Sequence, residues 1–213
     1  MVNNYLNKIR HEFSSQKLDE TEVLKDPILQ LEKWIEEAVD AQILEPNAMT
    51  VSTVNQDGQP SARVVYLRGV SSDGLKLYTN YNSQKGEDVK GNPKVSALFF
   101  YSELERQVRV EGLIEKLSEQ ESNEYFDARP IESKIGAWAS EQSSRITSRA
   151  DLEKRIDQFR LKFGENVPRP PHWGGYLIRP TKFEFWQGRP ARLHDRLVFS
   201  KAGADWQITR LAP

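Results

Sequence analysis

The chain has 213 residues, 38% of them hydrophobic and 29% charged, which is typical of a globular protein with one large domain or two small ones. Because 30 lysines and arginines are balanced by 31 aspartates and glutamates, the net charge of −1 argues against nucleic-acid binding through bulk positive charge. The chain lacks cysteine, which excludes disulfides and thiolate chemistry, and its three histidines are too widely spaced to predict a metal site.

The N-terminal segment, residues 1–25, is polar and charged, and we expect it to form a loose arm or a short helix outside a single domain of residues 26–213. Asp26 and Pro27 mark a helix start, since aspartate caps free N–H groups and proline suits the first helical position. Apolar residues at helical spacing follow, which predicts a helix that runs to about Leu44.

Three short segments rich in valine, leucine and tyrosine are predicted as strands, at residues 49–54, 62–68 and 75–79. Turn residues separate them at 55–58 and 72–74. Parallel strands cannot be joined by such tight turns, so we expect these three strands to form an antiparallel meander.

The rest of the chain alternates between helical and strand patterns. It predicts a short helix capped by Ser83, strands at 94–101 and 104–117, a helix opened by a capping box at Ser118, a helical piece that begins at Ser133, a helix at 148–163, a long strand at 173–186 and a hairpin of 192–200 with 206–211. The fold class expected from this order is α+β, mainly antiparallel β, in one barrel-like domain.

No segment is apolar and long enough to span a membrane, and the N-terminus has no apolar signal region. We therefore expect a cytoplasmic protein that binds neither membranes nor nucleic acids.

Anion binding must rely on scattered groups, because the chain has no glycine-rich phosphate loop and no Gly-x-Ser-x-Gly elbow. The candidates are basic or hydroxyl side chains on strands and at helix starts: Arg63, Arg68, Ser83, Lys85, Tyr125, Arg129 and Ser133. Each alone is better explained by a solvated, capping or packing role. Their number suggests two phosphate sites, which composition and spacing leave open.

Arg192, His194 and Arg196 alternate along the chain with other residues. If this segment is extended, the three basic side chains share one face of a strand and could hold an anionic ligand. A solvated edge strand is the alternative interpretation.

Sequence blocks that follow one another over nearly the whole chain form a combined signature: residues 63–68, 78–80, 83–86, 104–108, 125–130, 136–138, 142–144, 173–175, 184–188, 192–196 and 210–213. With these blocks the chain resembles the pyridoxamine 5′-phosphate oxidase family. The resemblance implies a split β-barrel FMN-binding fold with flanking helices, and a homodimer with FMN at the subunit interface. It implies no metal.

The resemblance also implies an activity. An FMN-dependent oxidase of this family converts pyridoxine 5′-phosphate or pyridoxamine 5′-phosphate to pyridoxal 5′-phosphate. Hydride passes from C4′ of the substrate to N5 of the flavin, and oxygen reoxidises the flavin to give hydrogen peroxide.

The FMN contacts that the resemblance implies are Arg63, Val64, Val65, Tyr66, Leu67, Arg68, Tyr78, Thr79, Gln84, Lys85, Gln107, Gln142, Ser143, Trp186 and Arg196. The implied substrate contacts are Arg10, His11, Glu12, Phe13, Arg68, Tyr125, Arg129, Ser133, Arg192, Leu193 and His194. Arg192 and His194 are the catalytic candidates, since they are expected to clamp the pyridine ring, and the arm with Phe13 is expected to close over the substrate.

The chain departs from the family pattern at three of these positions. Arg68 stands where the family often has lysine, Gln84 where many members have arginine, and Phe13 where tyrosine is frequent. Strict strand alternation would also place Arg63 and Arg68 on opposite faces, which requires a bulge or two separate ligands.

Two other functions remain open. A related split-barrel flavin oxidase could act on another reduced aromatic compound, such as a phenazine precursor. A non-catalytic FMN-binding protein would keep the flavin residues and show no turnover.

Overall fold

The structure is a computed structural model and describes residues 12–13 and 16–213. Arg10 and His11, which were predicted to contact substrate, lie outside the described residues. The elements in chain order are α1 (Pro27–Asp40), β1 (Ala48–Val54), β2 (Pro60–Tyr66), β3 (Gly69–Ser71), β4 (Gly74–Asn80), α2 (Gln84–Gly91), β5 (Lys94–Tyr101), β6 (Arg106–Lys116), α3 (Glu119–Asp127), α4 (Ile131–Ala139), α5 (Arg149–Phe163), β7 (Trp173–Gln187), a short 3₁₀ helix (Pro190–Arg192), β8 (Asp195–Ala202) and β9 (Asp205–Arg210). The predicted α+β class with mainly antiparallel strands is confirmed.

Most helices begin where the sequence places a capping side chain. The Asp26 carboxylate accepts a hydrogen bond from the N–H of Ile28 at 2.8 Å, with proline at the first helical position of α1. Ser118 and Glu121 form the predicted capping box of α3, and Ser83 caps α2. Local hydrogen bonding therefore explains these three boundaries.

Two helix ends differ from the prediction. α1 ends at Asp40 rather than near Leu44, because the chain turns at Gln42, whose φ is +55°. α4 begins at Ile131 with Pro130 as its N-cap, so Ser133 lies within the first turn instead of starting the helix.

Contacts divide the described chain into two compact units. The first unit contains the described residues up to Asn47 together with Leu98–Val110 and Thr181–Pro213, and the second contains Ala48–Ala97 and Glu111–Pro180. Strand hydrogen bonding follows the order β2-β1-β5-β6-β7-β4-β3, with β8 paired to β7 and β9 to β8. None of the helices in the described residues is long and apolar enough to cross a membrane.

The core of the first unit is aromatic. Trp34 of α1 meets Phe185 of β7 edge-on at a ring distance of 5.1 Å, and Phe185 meets Phe199 of β8 at 5.4 Å. These rings are almost fully buried, and the antiparallel register of β7 with β8 holds Phe185 opposite Leu197.

In the second unit, β1 and β2 form the predicted hairpin, with Val51 opposite Arg63. The predicted meander is wrong, however, because β4 pairs with β3 and β7 and not with β2. β2 alternates exposed and half-buried residues, as an edge strand does, whereas β4 is largely buried and has partners on both sides. The sequence revealed the turns, but it did not reveal the break after Tyr66 or the short strand β3.

Candidate active site

The second unit contains a cavity of about 710 Å³. It lies beside the edge strand β2, the start of α2 and the segment that joins α3 to α4. Its lining is rich in basic, hydroxyl and aromatic side chains: Arg63, Val64, Val65, Tyr66, Arg68, Tyr78, Thr79, Gln84, Lys85, Tyr125, Ala128, Arg129, Pro130, Ser133, Gln142, Ser143 and Trp173. Fourteen of these residues were predicted to bind cofactor or substrate.

Arg63 is held rigidly at the β2 wall of the cavity. Its guanidinium donates hydrogen bonds to Thr53 Oγ1 at 2.7 Å, to Ser61 Oγ at 2.8 Å and to the carbonyl of Val51 at 3.3 Å. Burial lowers the pKa of Arg63, and nearby Asp88 opposes that effect. The side chain is therefore oriented before any ligand binds.

Asp88 is a buried partner of this site that the sequence did not indicate. It is 3% exposed, accepts a hydrogen bond from Thr53 Oγ1 at 2.6 Å and lies 3.8 Å from Arg63 Nη2. Gln84 Nε2 donates to its other oxygen at 2.8 Å. No sequence signal marks this role, because an aspartate in a short polar helix is ordinarily solvated.

Lys85 is the second cation at this wall. Its ammonium donates to Gln142 Oε1 at 2.9 Å, Thr79 Oγ1 at 3.1 Å and Ser83 Oγ at 3.2 Å, all of them neutral oxygens. Burial, and then the charge of Arg63, lower the pKa of Lys85 to about 8. A half-buried ammonium beside a guanidinium, at the start of helix α2, is suited to an anion such as phosphate.

Arg68 and Arg129 form a second pair of cations. Burial lowers the pKa of Arg129, and the charge of Arg68 adds to this effect. Arg129 lies over the Trp173 ring at 4.4 Å, while its Nη1 is buried and has no hydrogen-bond partner. A buried, unpartnered donor of this kind is rare in proteins, so Arg129 Nη1 is a candidate contact for a bound ligand.

Arg68 reaches the same cavity as Arg63, although strand alternation had placed them on opposite faces. β2 ends at Tyr66, so Arg68 lies beyond the strand, where its backbone N–H donates to the carbonyl of Lys76 at 2.8 Å. Neither the bulge nor the separation into two faces is needed, because alternation stops before residue 68.

Stacked aromatic rings form another wall of the cavity. Tyr78 and Tyr125 are parallel with ring centroids 3.6 Å apart, and Trp173 lies 5.9 Å from Tyr78. Gly175 permits this arrangement, since a Cβ atom there would lie 2.8 Å from the Tyr78 ring. In the Trp-Gly-Gly block, Trp173 thus supplies one ring, and Gly175 leaves space for the stacked rings of Tyr78 and Tyr125.

The first unit holds a separate group of predicted residues, the His194 cluster, formed by Phe13, Trp186, Arg192 and His194. The His194 ring lies 4.6 Å from Trp186 and 4.8 Å from Phe13, and the Arg192 guanidinium lies 5.5 Å from the Phe13 ring. Gly188 leaves room for Phe13, because a side chain there would collide with that ring.

The predicted extended face of Arg192, His194 and Arg196 is wrong. β8 begins only at Asp195, and the preceding chain turns through a 3₁₀ helix in which Ala191 and Arg192 have φ of +56° and +64°. Alternation therefore does not apply across this segment, and Arg192 reaches Phe13 through a turn.

His194 is oriented by the backbone. Its Nδ1 accepts a hydrogen bond from the N–H of Arg189 at 3.1 Å, so the neutral ring carries its proton on Nε2. Burial, and then the charge of Arg192, lower the pKa of His194, while Glu105 opposes them. A neutral imidazole that presents an Nε2–H donor is therefore favoured at neutral pH.

The other predicted residues of the first unit are placed differently. Arg196 is paired with the buried Glu184 at 2.8 Å and donates to the carbonyl of Ala212 at 2.9 Å. Gln107 is half-buried on β6, and Leu193 is 69% exposed.

Leu67 and Glu12 are two further predicted contacts. Leu67 is buried at 6% exposure and does not line the cavity of the second unit. Glu12 is exposed. The ligand-binding roles of all these residues stay predictions.

Two family models match the chain. The model described as pyridoxamine 5′-phosphate oxidase matches residues 35–163. The model described as pyridoxine 5′-phosphate oxidase C-terminal dimerisation region matches residues 173–213.

Known proteins are similar over nearly the whole chain. The pyridoxine/pyridoxamine 5′-phosphate oxidase of Cupriavidus necator is 54% identical over 206 residues, which cover 96% of this chain and 97% of that protein. The protein of the same name from Burkholderia mallei is 53% identical over 208 residues, with the same coverage.

Solved structures agree with the fold. PhzG from Burkholderia lata 383, in complex with tetrahydrophenazine-1-carboxylic acid, has a TM-score of 0.88 at 30% identity and covers 94% of this chain and 100% of its own. A pyridoxamine 5′-phosphate oxidase-related, FMN binding protein from Nostoc punctiforme has a TM-score of 0.67 at 15% identity, covering 93% of this chain and 100% of its own, and it shows the fold alone. The predicted split-barrel fold is confirmed.

Proposed function

The chain belongs to the pyridoxamine 5′-phosphate oxidase family, and on that premise we propose that it is an FMN-dependent oxidase that forms pyridoxal 5′-phosphate. The reaction with pyridoxine 5′-phosphate consumes oxygen and releases hydrogen peroxide. With pyridoxamine 5′-phosphate it also consumes water and releases ammonia. One observation carries the proposal: a single cavity is lined by two pairs of cations, and both ligands of the reaction carry a phosphate.

Arg63 and Lys85 fit the phosphate of FMN. Lys85 donates to neutral oxygens and to no carboxylate among the described residues, so an anion would supply the missing negative charge. Val64, Val65 and Tyr66 on edge strand β2 offer backbone groups to the polar edge of the flavin. The flavin, when bound, accepts hydride and passes electrons to oxygen.

Arg68 and Arg129 fit the phosphate of the substrate, together with Tyr125 and Ser133. The buried, unpartnered Nη1 of Arg129 is the strongest support, since an acceptor at that point would satisfy it. The planar fork of arginine at position 68 can bind two phosphate oxygens at once, where lysine would act as a point charge.

The His194 cluster fits the pyridine ring of the substrate. Arg192 and the Nε2–H of His194 can donate to the polar edge of a pyridine ring, and the rings of Phe13 and Trp186 exclude water around them. Orientation of the substrate C4′ and removal of water are what the protein must add to flavin chemistry.

A homodimer in the cytoplasm completes the proposal. The match of residues 173–213 to the family's dimerisation region supports the homodimer. Several large apolar side chains are also exposed, such as Val64 and Phe100, each 63% exposed. Light scattering of the purified protein will give its mass relative to the 24.6 kDa chain.

One assay tests the function. The purified protein is loaded with FMN, mixed with pyridoxine 5′-phosphate in air, and followed for aldehyde absorbance and hydrogen peroxide. Equal amounts of aldehyde and peroxide are expected. A yellow protein without turnover would favour a non-catalytic FMN-binding role, and a protein that takes up no FMN would defeat the proposal.

A second candidate is oxidation of a reduced tricyclic aromatic acid, which the similarity to the PhzG complex favours. The same assay with such a compound in place of the phosphorylated substrate separates the two functions. The closeness of the cations Arg68 and Arg129 favours the phosphorylated substrate, because a phosphate brings up to two negative charges to them and a carboxylic acid brings only one.

A further inference from the structure

Arg210, the last residue of β9, connects distant parts of the first unit. Its guanidinium donates to both carboxylate oxygens of Glu20 at 2.6 and 2.7 Å, to Asp195 Oδ1 at 2.6 Å and to the carbonyl of Leu18 at 2.9 Å. These four acceptors use all three nitrogens of the arginine fork. We call this group the Arg210 cluster; its members are Leu18, Glu20, Asp195 and Arg210.

Asp195 joins the Arg210 cluster to the turn that carries Arg192 and His194. Its second oxygen accepts from the N–H of Leu18 at 3.2 Å and lies 3.4 Å from Arg189 Nε. The backbone N–H of Arg189 in turn holds Nδ1 of His194. Asp195, which follows His194 directly in the chain, therefore braces this turn from both ends.

Leu18 is fixed by both backbone groups and by burial. Its N–H bonds to Asp195, its carbonyl to Arg210, and its side chain is 5% exposed. Only four residues lie between Leu18 and Phe13, which packs on Trp186 and His194. A short tether from a fixed point keeps Phe13 at high effective concentration next to the His194 ring.

We propose that Arg210 is a positioning residue for the substrate site: through Leu18 and Asp195 it holds Phe13 and His194 together. This inference rests on the proposed function only in the role given to His194. The residue touches neither Phe13 nor His194 itself, so it acts through the cluster. Loss of Arg210 removes the cation that bonds Glu20 and Oδ1 of Asp195, and it releases the Leu18 carbonyl.

Limited trypsin digestion tests the proposal without any enzyme assay. Lys17 is exposed, and cleavage after it needs the Lys17–Leu18 bond free of the contacts made by Leu18. Arg210→Met is expected to speed this cleavage about tenfold, because proteolysis follows the population of the released segment. Arg160→Met is the matched control, since Arg160 also pairs with two carboxylates but lies on exposed α5. Equal cleavage rates in the two variants would overturn the proposal.

Kinetics provide the second measurement. Arg210→Met is expected to raise KM for pyridoxine 5′-phosphate about tenfold with kcat changed less than twofold. The reason is that Phe13 and His194 are no longer held in place for binding, while the reacting groups remain. Arg210→Lys keeps the charge without the fork, so its KM is expected to lie between those of the wild type and Arg210→Met. If Arg210→Met does not fold, Glu20→Gln replaces it, with a smaller rise expected in both cleavage and KM. A fall in kcat alone, with KM and cleavage unchanged, would contradict the proposal; an inactive wild type would sink the proposed function while the digestion still decides this inference.

Discussion

The ammonium of Lys85 lies 2.9 Å from the amide oxygen of Gln142, so a half-buried cation faces a neutral acceptor. This pairing leaves the lysine charge sensitive to its surroundings. Its pKa is lowered to about 8 by burial and by Arg63, which brings its titration close to neutral pH.

FMN affinity should therefore fall as pH rises through about 8. A bound phosphate dianion favours the ammonium and raises the Lys85 pKa, so above pH 8 binding must take up a proton. The dissociation constant is expected to change little near pH 7, since phosphate is already a dianion there and Lys85 is still largely protonated. It should then increase by up to about tenfold per pH unit. Fluorescence quenching of FMN by the apoprotein gives these values.

The control for this pH dependence is Lys85→Arg. Arginine stays protonated throughout the range, so the variant should show a flat profile. A variant with the same slope as the wild type would assign the dependence to another group.

Gln84→Arg should strengthen FMN binding by about threefold to tenfold, because it adds a cation at the start of α2 beside Lys85. Part of the gain is lost, since the glutamine amide now donates to Asp88 and an arginine can pair with that carboxylate instead. Gln84→Met removes the same hydrogen bond without adding charge, and it serves as the control. Flavin content after dialysis and titration of the apoprotein both report the change. Tighter binding in both variants would show that charge is not the cause.

Local signals in the sequence were enough for most helix starts, because a cap is a contact between neighbours in the chain. Asp26 and Ser118 illustrate this: each bonds an N–H two or three residues ahead. The strand order was not accessible in the same way. Pairing of β4 with β7 joins Tyr78 to Gly175 across nearly 100 residues, and no turn residue reports it.

The candidate site, too, was predictable from the sequence only in part. The cations Arg63 and Lys85 follow from the family resemblance, and the structure brings both to one cavity. Asp88, which orients Arg63, was missed because its burial depends on strand β1 packing against α2. The Arg192 turn was misread because two successive positive φ values at non-glycine residues run against local preference.

Asp88→Asn should lower the free energy of unfolding by about 1–3 kcal/mol. The carboxylate accepts from Thr53 and Gln84 and lies beside Arg63 in a buried setting, so the neutral amide leaves the guanidinium without its counter-charge. Urea denaturation of the apoprotein measures the loss. Asp157→Asn is the matched control, because its pair with Arg160 is exposed and should contribute much less to the free energy of unfolding. Equal losses would mean that Asp88 is not an electrostatic partner.

Gly175→Ala should destabilise the protein by about 1–3 kcal/mol through overpacking. The new methyl group would lie 2.5 Å from Leu117 Cδ1 and 2.8 Å from the ring of Tyr78, which stacks on Tyr125. Gly136→Ala in α4 meets nothing within 4 Å, so it should be neutral or stabilising by up to about 1 kcal/mol. Denaturant unfolding compares the two variants, and a stabilised Gly175→Ala would contradict the close packing at this wall.

The pKa of His194 should respond in opposite directions to two neighbouring charges. Burial, and then Arg192, lower the pKa of His194 below its ordinary value of 6.5, and Glu105 opposes them. Arg192→Met removes a repelling cation and should raise the pKa. Glu105→Gln removes an attracting carboxylate and should lower it further. NMR titration resolves the effect, because the chain has only three histidines and His194→Gln identifies the signal.

The Glu105→Gln variant connects this titration to turnover. Below its pKa His194 is an imidazolium and loses the Nδ1 acceptor that bonds Arg189, so kcat/KM should fall as pH drops through that pKa. In Glu105→Gln the acidic limb should move to lower pH together with the NMR pKa, since the imidazole then stays neutral over a wider range. A limb that stays in place while the NMR pKa moves would show that the protonation state of His194 does not control the reaction. Movement of both by the same amount would identify neutral His194, with its proton on Nε2, as the form that acts on the substrate.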